Sequence, residues 1–161
     1  MKKSIFVYFS YSGDNDQLAT ILKRKLNCDT LKLEPIKNYT DNSIKILFQG
    51  GHESVSKKLP ALKPYVFDPN DYEIIIIATP VWAWTFSPVL RSFLNDNQII
   101  NKKIILLCSH RGNPGKTIKH LTEKLPNNQI IYTHEIHAPI KDNENIKKLT
   151  EDIIFSIKHN E

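Results

Sequence analysis

Apolar residues along this chain switch between two spacings, and each switch marks an element. Ile5 to Phe9 is a β-branched and aromatic run bounded by Ser10-Tyr11-Ser12-Gly13, which predicts a strand and then a turn. Leu18, Ile21, Leu22 and Leu26 recur at helical spacing, with Asp16 placed as the N-cap. Thr30 to Leu33 alternates like a short strand and stops before Pro35. Ile44, Ile46, Leu47 and Phe48 predict a short helical patch ahead of Gly50-Gly51. Pro60, Pro64 and Pro69 make Lys57 to Pro69 an extended loop. Tyr72 to Thr79 is the strongest strand, because Ile74 to Ile77 run without a polar break, as in a strand covered on both faces. Pro88 suits a first helical turn, and Leu90, Phe93 and Leu94 give that helix an apolar face. Ile104 to Cys108 predicts a second continuous strand, Gly115 to Leu125 a helix, Gln129 to Ile136 a strand and Ile146 to Ile157 a closing helix.

Strands alternating with helices, the inner ones apolar throughout, predict an α/β fold whose parallel sheet carries helices on both faces. The 161 residues show no repeat, low-complexity tract or linker, so one domain over residues 1–161 is expected. Open sheets of this kind bind ligands beyond the carboxyl ends of their strands, where strand order reverses. The loops after the first, third and fourth long strands are therefore where chemistry should lie.

The first loop, Ser10-Tyr11-Ser12-Gly13-Asp14-Asn15, runs into a helix. Free backbone N–H groups and the positive helix end can hold a phosphate there without lysine or arginine, and ordinary capping accounts for the same residues. The next, Thr79-Pro80-Val81-Trp82-Ala83-Trp84-Thr85-Phe86, holds both tryptophans of the protein, read as lying outside regular structure. Two indoles at a ligand edge suit a flat aromatic partner, or else a loop packed on itself or on a second copy in a homodimer. The last, Ser109-His110-Arg111-Gly112-Asn113, offers polar groups and a glycine that allows close backbone approach.

Charge changes this picture little. Lys and Arg number 22 against 17 Asp and Glu, a net charge of +5. The cations are scattered among acids, as where Lys147-Lys148 precede Glu151-Asp152, and no basic stripe interleaved with aromatics is present to stack bases. No nucleic-acid partner is expected. Two cysteines exclude a disulfide-dense scaffold. The start of the chain lacks a signal-peptide pattern, and no apolar stretch approaches the roughly 18 residues of a membrane helix, so a cytoplasmic location away from membranes is expected.

With these motifs in place the chain resembles the flavodoxin-like family, in particular its short bacterial members. Tyr8-Phe9-Ser10-Tyr11-Ser12-Gly13 is similar to that family's phosphate loop. Ile77-Ala78-Thr79-Pro80-Val81-Trp82, continued to Pro88 and Ser92-Phe93-Leu94, is similar to its third strand, flavin-side loop and following helix. Ile104 to Gly112 is similar to its fourth strand and second flavin-side loop. The resemblance implies a five-stranded parallel sheet of order 2-1-3-4-5 and a bound flavin mononucleotide (FMN). It implies that Ser10, Ser12, Gly13 and Asn15, in the loop completed by Tyr11 and Asp14, hold the phosphate. Thr79, Pro80, Val81, Trp82 and Ala83, with Trp84 beside them, would line the ribityl chain and ring, and Ser109, His110, Arg111 and Gly112 would cover the other side. Arg111 turned inward would stabilise negative charge on the reduced flavin, and His110 is the side chain whose ordinary pKa suits proton transfer near neutrality.

Two departures from the family pattern stand out. Asp14-Asn15 occupies the place of a small neutral residue and a threonine, and a carboxylate about 4 Å from a phosphate costs on the order of 1–4 kcal/mol. The chain is also basic where electron-carrying flavodoxins are acidic. The expected function is an FMN-dependent redox protein, taking electrons from NAD(P)H or a reductase and passing them to a quinone-like small molecule or a protein acceptor. The alternative is a flavin-free domain of the same fold that docks a protein through its tryptophan loop.

Other chemistries lack a required residue. Gly115-Lys116-Thr117 resembles the end of a nucleotide-binding P-loop, but the motif's first glycine would fall at His110. A receiver domain needs an aspartate where Thr79 stands, and a cysteine phosphatase needs an arginine where Pro114 stands. Cys108 is read as a small core residue, and the histidines show no metal-ligand spacing.

Overall fold

The computed structural model describes residues 3–40 and 59–160, and the helical patch expected at Ile44 to Phe48 lies outside them. Strand β1, Ser4–Tyr8, leads into helix α1, Asp14–Leu26, and then β2, Asp29–Lys32. The proline-rich segment from residue 59 carries one isolated bridge, Pro35 to Leu62, and ends in a 3-10 turn, Pro69–Asp71, capped by Asp68. There follow β3, Ile74–Trp82, a two-residue β4, Thr85–Phe86, and α2, Pro88–Asp96. The chain closes with β5, Lys103–His110, α3, Thr117–Lys124, β6, Gln129–His137, and α4, Glu144–His159.

The long strands pair in parallel in the order β2-β1-β3-β5-β6, which is the expected 2-1-3-4-5 sheet with β4 attached to β3 alone. Burial explains the apolar runs. Ile75 and Ile77 enter one core with Val89, Leu90 and Phe93 of α2 and Leu121 of α3. Ile74 and Ile76 enter a second core with Leu18 and Leu22 of α1 and Leu149 and Ile153 of α4. A central strand with a helix layer on each face has no polar side, so its sequence carries no alternation.

Side-chain caps set the starts of α2 and α4. Ser87 accepts the Leu90 N–H and Pro88 sits at the first position of α2, while Asn143 accepts the N–H groups of Asn145 and Ile146 at the start of α4. At α1 the expectation fails. The N-cap is Gly13, at φ +90°, and Asp16 lies inside the first turn, where its carboxylate pairs with Lys32 at 2.6 Å and accepts from Tyr8 Oη at 3.2 Å. Only glycine adopts that φ freely, so the backbone requirement outweighs side-chain capping preference.

β3 also runs further than expected, through Pro80 to Trp82, and turns back antiparallel into β4, with Trp82 opposite Thr85 and Val81 opposite Phe86. The central residues Ala83 and Trp84 have φ of +47° and +61°, the left-handed pair that a type I′ hairpin requires. Without Gly, Asn or Asp at the turn, the sequence gives no hairpin signal.

Candidate functional site

The three loops singled out above meet at the carboxyl edge of the sheet. After β1 the chain turns through Ser10 to Gly13 and enters α1, whose N-terminus has no side-chain cap. Ser10 Oγ accepts the Asp16 N–H at 3.3 Å, and Asn15 Nδ2 donates to the Phe9 carbonyl at 2.8 Å, bracketing the loop from within. Among the described residues, a Cβ placed on Gly13 would meet no heavy atom within 4 Å, so the space beside the first residue of the turn is open. Asn15 Oδ1 is buried and has no hydrogen-bond partner among the described residues. An orphan acceptor of this kind at a ligand edge suits a hydroxyl or N–H donor supplied from outside the chain.

The hairpin tip forms one wall of a cleft of about 290 Å³, lined by Val81, Ala83, Trp84, His110, Arg111, Gly112 and Asn113. That volume is near the lower end of small-molecule sites, roughly 300–1,000 Å³. A second hollow of about 280 Å³ opens beside Ser10 and Tyr11 and is closed by Leu33 and Tyr39. A larger groove of about 390 Å³ lies between β6 and α4 and reaches His137, Pro139 and Ile140 at the carboxyl end of β6.

The tryptophans part company here. Trp84 is 59% exposed at the hairpin tip, whereas Trp82 is 5% exposed and ends β3. The Trp82 ring meets Phe9, Tyr39 and Tyr11 edge-on at centroid distances of 5.5, 5.0 and 6.1 Å. The two indoles, read alike in the sequence, are placed differently: Trp84 lines the cleft, and Trp82 packs behind its wall. Thr79 is likewise fully buried, its Oγ1 accepting the Ser87 N–H at 3.0 Å and lying 3.2 Å from Ser87 Oγ. It ties β3 to the start of α2 instead of lining the cleft. Ser109, also expected on the far wall, is buried in β5. His110 and Gly112 do line the cleft, with Gly112 N–H donating to His110 Nδ1 at 3.4 Å.

Gly115 explains the shape of the hairpin. Its φ is +63°, and a Cβ there would collide with the Cβ of Trp84, with its carbonyl oxygen at 2.6 Å and its Cα at 2.7 Å. The next N–H, of Lys116, donates to that same carbonyl at 3.2 Å, and Thr85 Oγ1 bonds His120 Nδ1 at 2.9 Å. Gly115-Lys116 is thus the clamp of the aromatic hairpin, which accounts for the motif without any nucleotide.

Asp14 departs furthest from expectation. Its side chain is 10% exposed and turned toward protein donors. Oδ2 accepts from Ser12 Oγ at 2.5 Å and from Arg111 Nη2 at 2.8 Å, and Oδ1 accepts the Ile140 N–H at 2.8 Å. Arg111 is therefore engaged with this carboxylate while it also lines the cleft. Ile140, in the segment between β6 and α4, is a partner that sequence reading missed, since nothing near Asp14 in the chain points to it.

Burial opposes charge on Asp14, yet the bonds from Ser12 and Ile140 and the Arg111 charge outweigh it, holding the carboxyl below the usual carboxylate range. A depressed folded-state value contributes stability that is present above about pH 3.9 and lost as pH falls through the folded value. Asp14→Asn is accordingly expected to flatten the acid limb of the stability curve, read from urea midpoints between about pH 2 and 5. A variant that keeps the wild-type slope would show that other groups carry it.

The thiols have no part in this chemistry. Burial pushes Cys108 up to about 12, helped by Glu135, and Cys28 up to about 11. Among the described residues no group of three metal-ligating side chains occurs, and no helix is long and apolar enough to cross a membrane.

A family model described as flavodoxin matches residues 3–153. No curated protein matches the chain. Among solved structures, a candidate flavoprotein from Bacteroides uniformis ATCC 8492 superposes with a TM-score of 0.81 at 18% identity, covering 93% of this chain and 98% of that one. A flavoprotein in complex with FMN from Lactobacillus acidophilus NCFM gives 0.69 at 17% identity over 84% and 93%. Oxidised flavodoxin 2 from Bacillus cereus gives 0.66 at 15% identity over 98% and 99%. At such identities the likeness to these structures is one of fold.

Proposed function

Since the chain belongs to the flavodoxin family, whose model matches it from residue 3 to residue 153, we propose that it is an FMN-binding redox protein. One observation carries the reading: the start of α1, where Gly13 brings no capping side chain, lies at the same sheet edge as a cleft walled by exposed Trp84 and the His110–Asn113 loop. The solved flavoprotein that carries FMN has this fold.

When bound, FMN supplies one- and two-electron chemistry through its ring. The chain's own residues bind and orient. The N–H groups at Gly13, Asp14 and Asn15 receive the phosphate, aided by the positive end of α1. Trp84 offers an indole face, held in place by the Gly115 clamp. The Gly112 loop allows backbone approach on the opposite wall. Tyr11, 41% exposed and edge-on to Trp82, stands at the rim between the phosphate loop and the hairpin.

For the wider reaction, we favour reduction of a quinone-like small molecule with NAD(P)H or a reductase as donor. A net charge of +5 is unsuited to the docking of an acidic shuttle on a basic partner. Saturable quenching of FMN fluorescence at one flavin per chain is the expected result of titration with purified protein. Unchanged fluorescence at high protein concentration would remove FMN and leave the exposed Trp84 hairpin as a protein-docking element.

A further inference from the structure

A loop that receives a dianion on main-chain amides can carry a carboxylate of its own only where that charge is cancelled. Asp14 is the first residue of α1, one position beyond Gly13. Of the three donors its carboxylate accepts from, Ser12 Oγ and Ile140 N are neutral, and Arg111 alone is charged. Lys32, the other cation paired near this turn, is committed to Asp16 at 2.6 Å. Arg111 is 59% exposed, uses a single N–H on Asp14, and also lines the cleft. A guanidinium so placed has further donors to spare for an anion at the same helix mouth.

Building on the FMN reading above, we propose that Arg111 determines the site's selectivity for a phosphorylated flavin, by cancelling the Asp14 charge at the start of α1. Without it, the phosphate would face an uncompensated carboxylate, whereas riboflavin, which lacks the phosphate, would be indifferent. Asp14 is then a positioning residue that joins three loops, and its cost to anion binding is removed by its partner.

The test compares FMN and riboflavin affinities, by flavin fluorescence quenching, in wild type, Arg111→Ala, Arg111→Lys and Arg111→Ala/Asp14→Asn. In Arg111→Ala the FMN affinity is expected to fall on the order of tenfold or more beyond any change in riboflavin affinity, so that the ratio of the two is the readout. Arg111→Lys, which keeps the charge, should retain most of the preference, and the double variant should regain it. A merely structural role would weaken both flavins by the same factor, and that result overturns the inference, as does a lost FMN preference that Asp14→Asn does not restore. Wild type binding both flavins equally also overturns it and leaves the FMN reading standing. Wild type that binds neither flavin sinks that reading, and this inference with it.

Discussion

Gly115→Ala is expected to lower the melting temperature by roughly 4–20 °C and to abolish flavin binding in parallel. Two costs combine. A residue with a Cβ at φ +63° pays about 1–2 kcal/mol for the left-handed conformation. The new methyl also meets Trp84 Cβ and, at 2.6 and 2.7 Å, that residue's carbonyl oxygen and Cα. Backbone atoms cannot swing aside as a side-chain tip can, so overpacking adds about 1–3 kcal/mol. Each kcal/mol is worth roughly 2–4 °C in a chain of this size. Relief would come by pushing the hairpin off the α3 side, which breaks the Lys116 N–H bond to Trp84 and displaces the cleft wall. Thermal unfolding monitored by circular dichroism, with an FMN titration alongside, measures both effects. A melting point within a degree of wild type would refute the clamp.

Phe86→Ala is expected to be as damaging from the opposite side of the same hairpin. Phe86 is 1% exposed, forms half of β4, and belongs to the core shared with Val89, Leu90 and Phe93. Deleting a buried phenyl ring costs about 3–5 kcal/mol in lost transfer energy and residual cavity. The ring also carries the Arg91 guanidinium over its face at 4.3 Å. Burial holds the Arg91 pKa below its ordinary value, and its Nε has no hydrogen-bond partner among the described residues. Loss of the ring therefore strands a partly buried cation as well as opening a void. Phe86→Leu keeps most of the apolar volume and separates the two terms. Its cost should be smaller, and whatever instability remains beyond the volume change belongs to the cation and the ring face. Urea denaturation of the three proteins provides the comparison, and equal stability of wild type and Phe86→Ala would contradict the burial.

The fold was largely legible because its signals are local. Four consecutive isoleucines announce a strand covered twice, and Pro88 announces the helix start at which it stands. The site was legible as an edge and as a family resemblance, but not as a set of contacts. Trp82 and Trp84 look equivalent in the sequence, two residues apart in one loop. Along an extended chain, though, neighbours two apart share a face only until the turn begins, and the turn here begins at Ala83. The left-handed backbone sends one indole to solvent after the other has been buried among Phe9, Tyr11 and Tyr39. Gly115-Lys116-Thr117 lacks the first glycine of a P-loop in the sequence, and only the structure shows that it braces a hairpin.

By itself, then, the sequence determined the alternation of strands and helices, the doubly covered sheet and the edge at which a ligand would sit. Each of these follows from periodicity and capping within a few residues. Tertiary structure alone decided the meaning of Asp14. Its partners Arg111 and Ile140 lie 97 and 126 positions away, brought to one carboxylate because β1, β5 and β6 end at the same sheet edge. Whether a charge repels a ligand or is already cancelled depends on distances through space, and no pattern along the chain encodes those before the sheet is assembled.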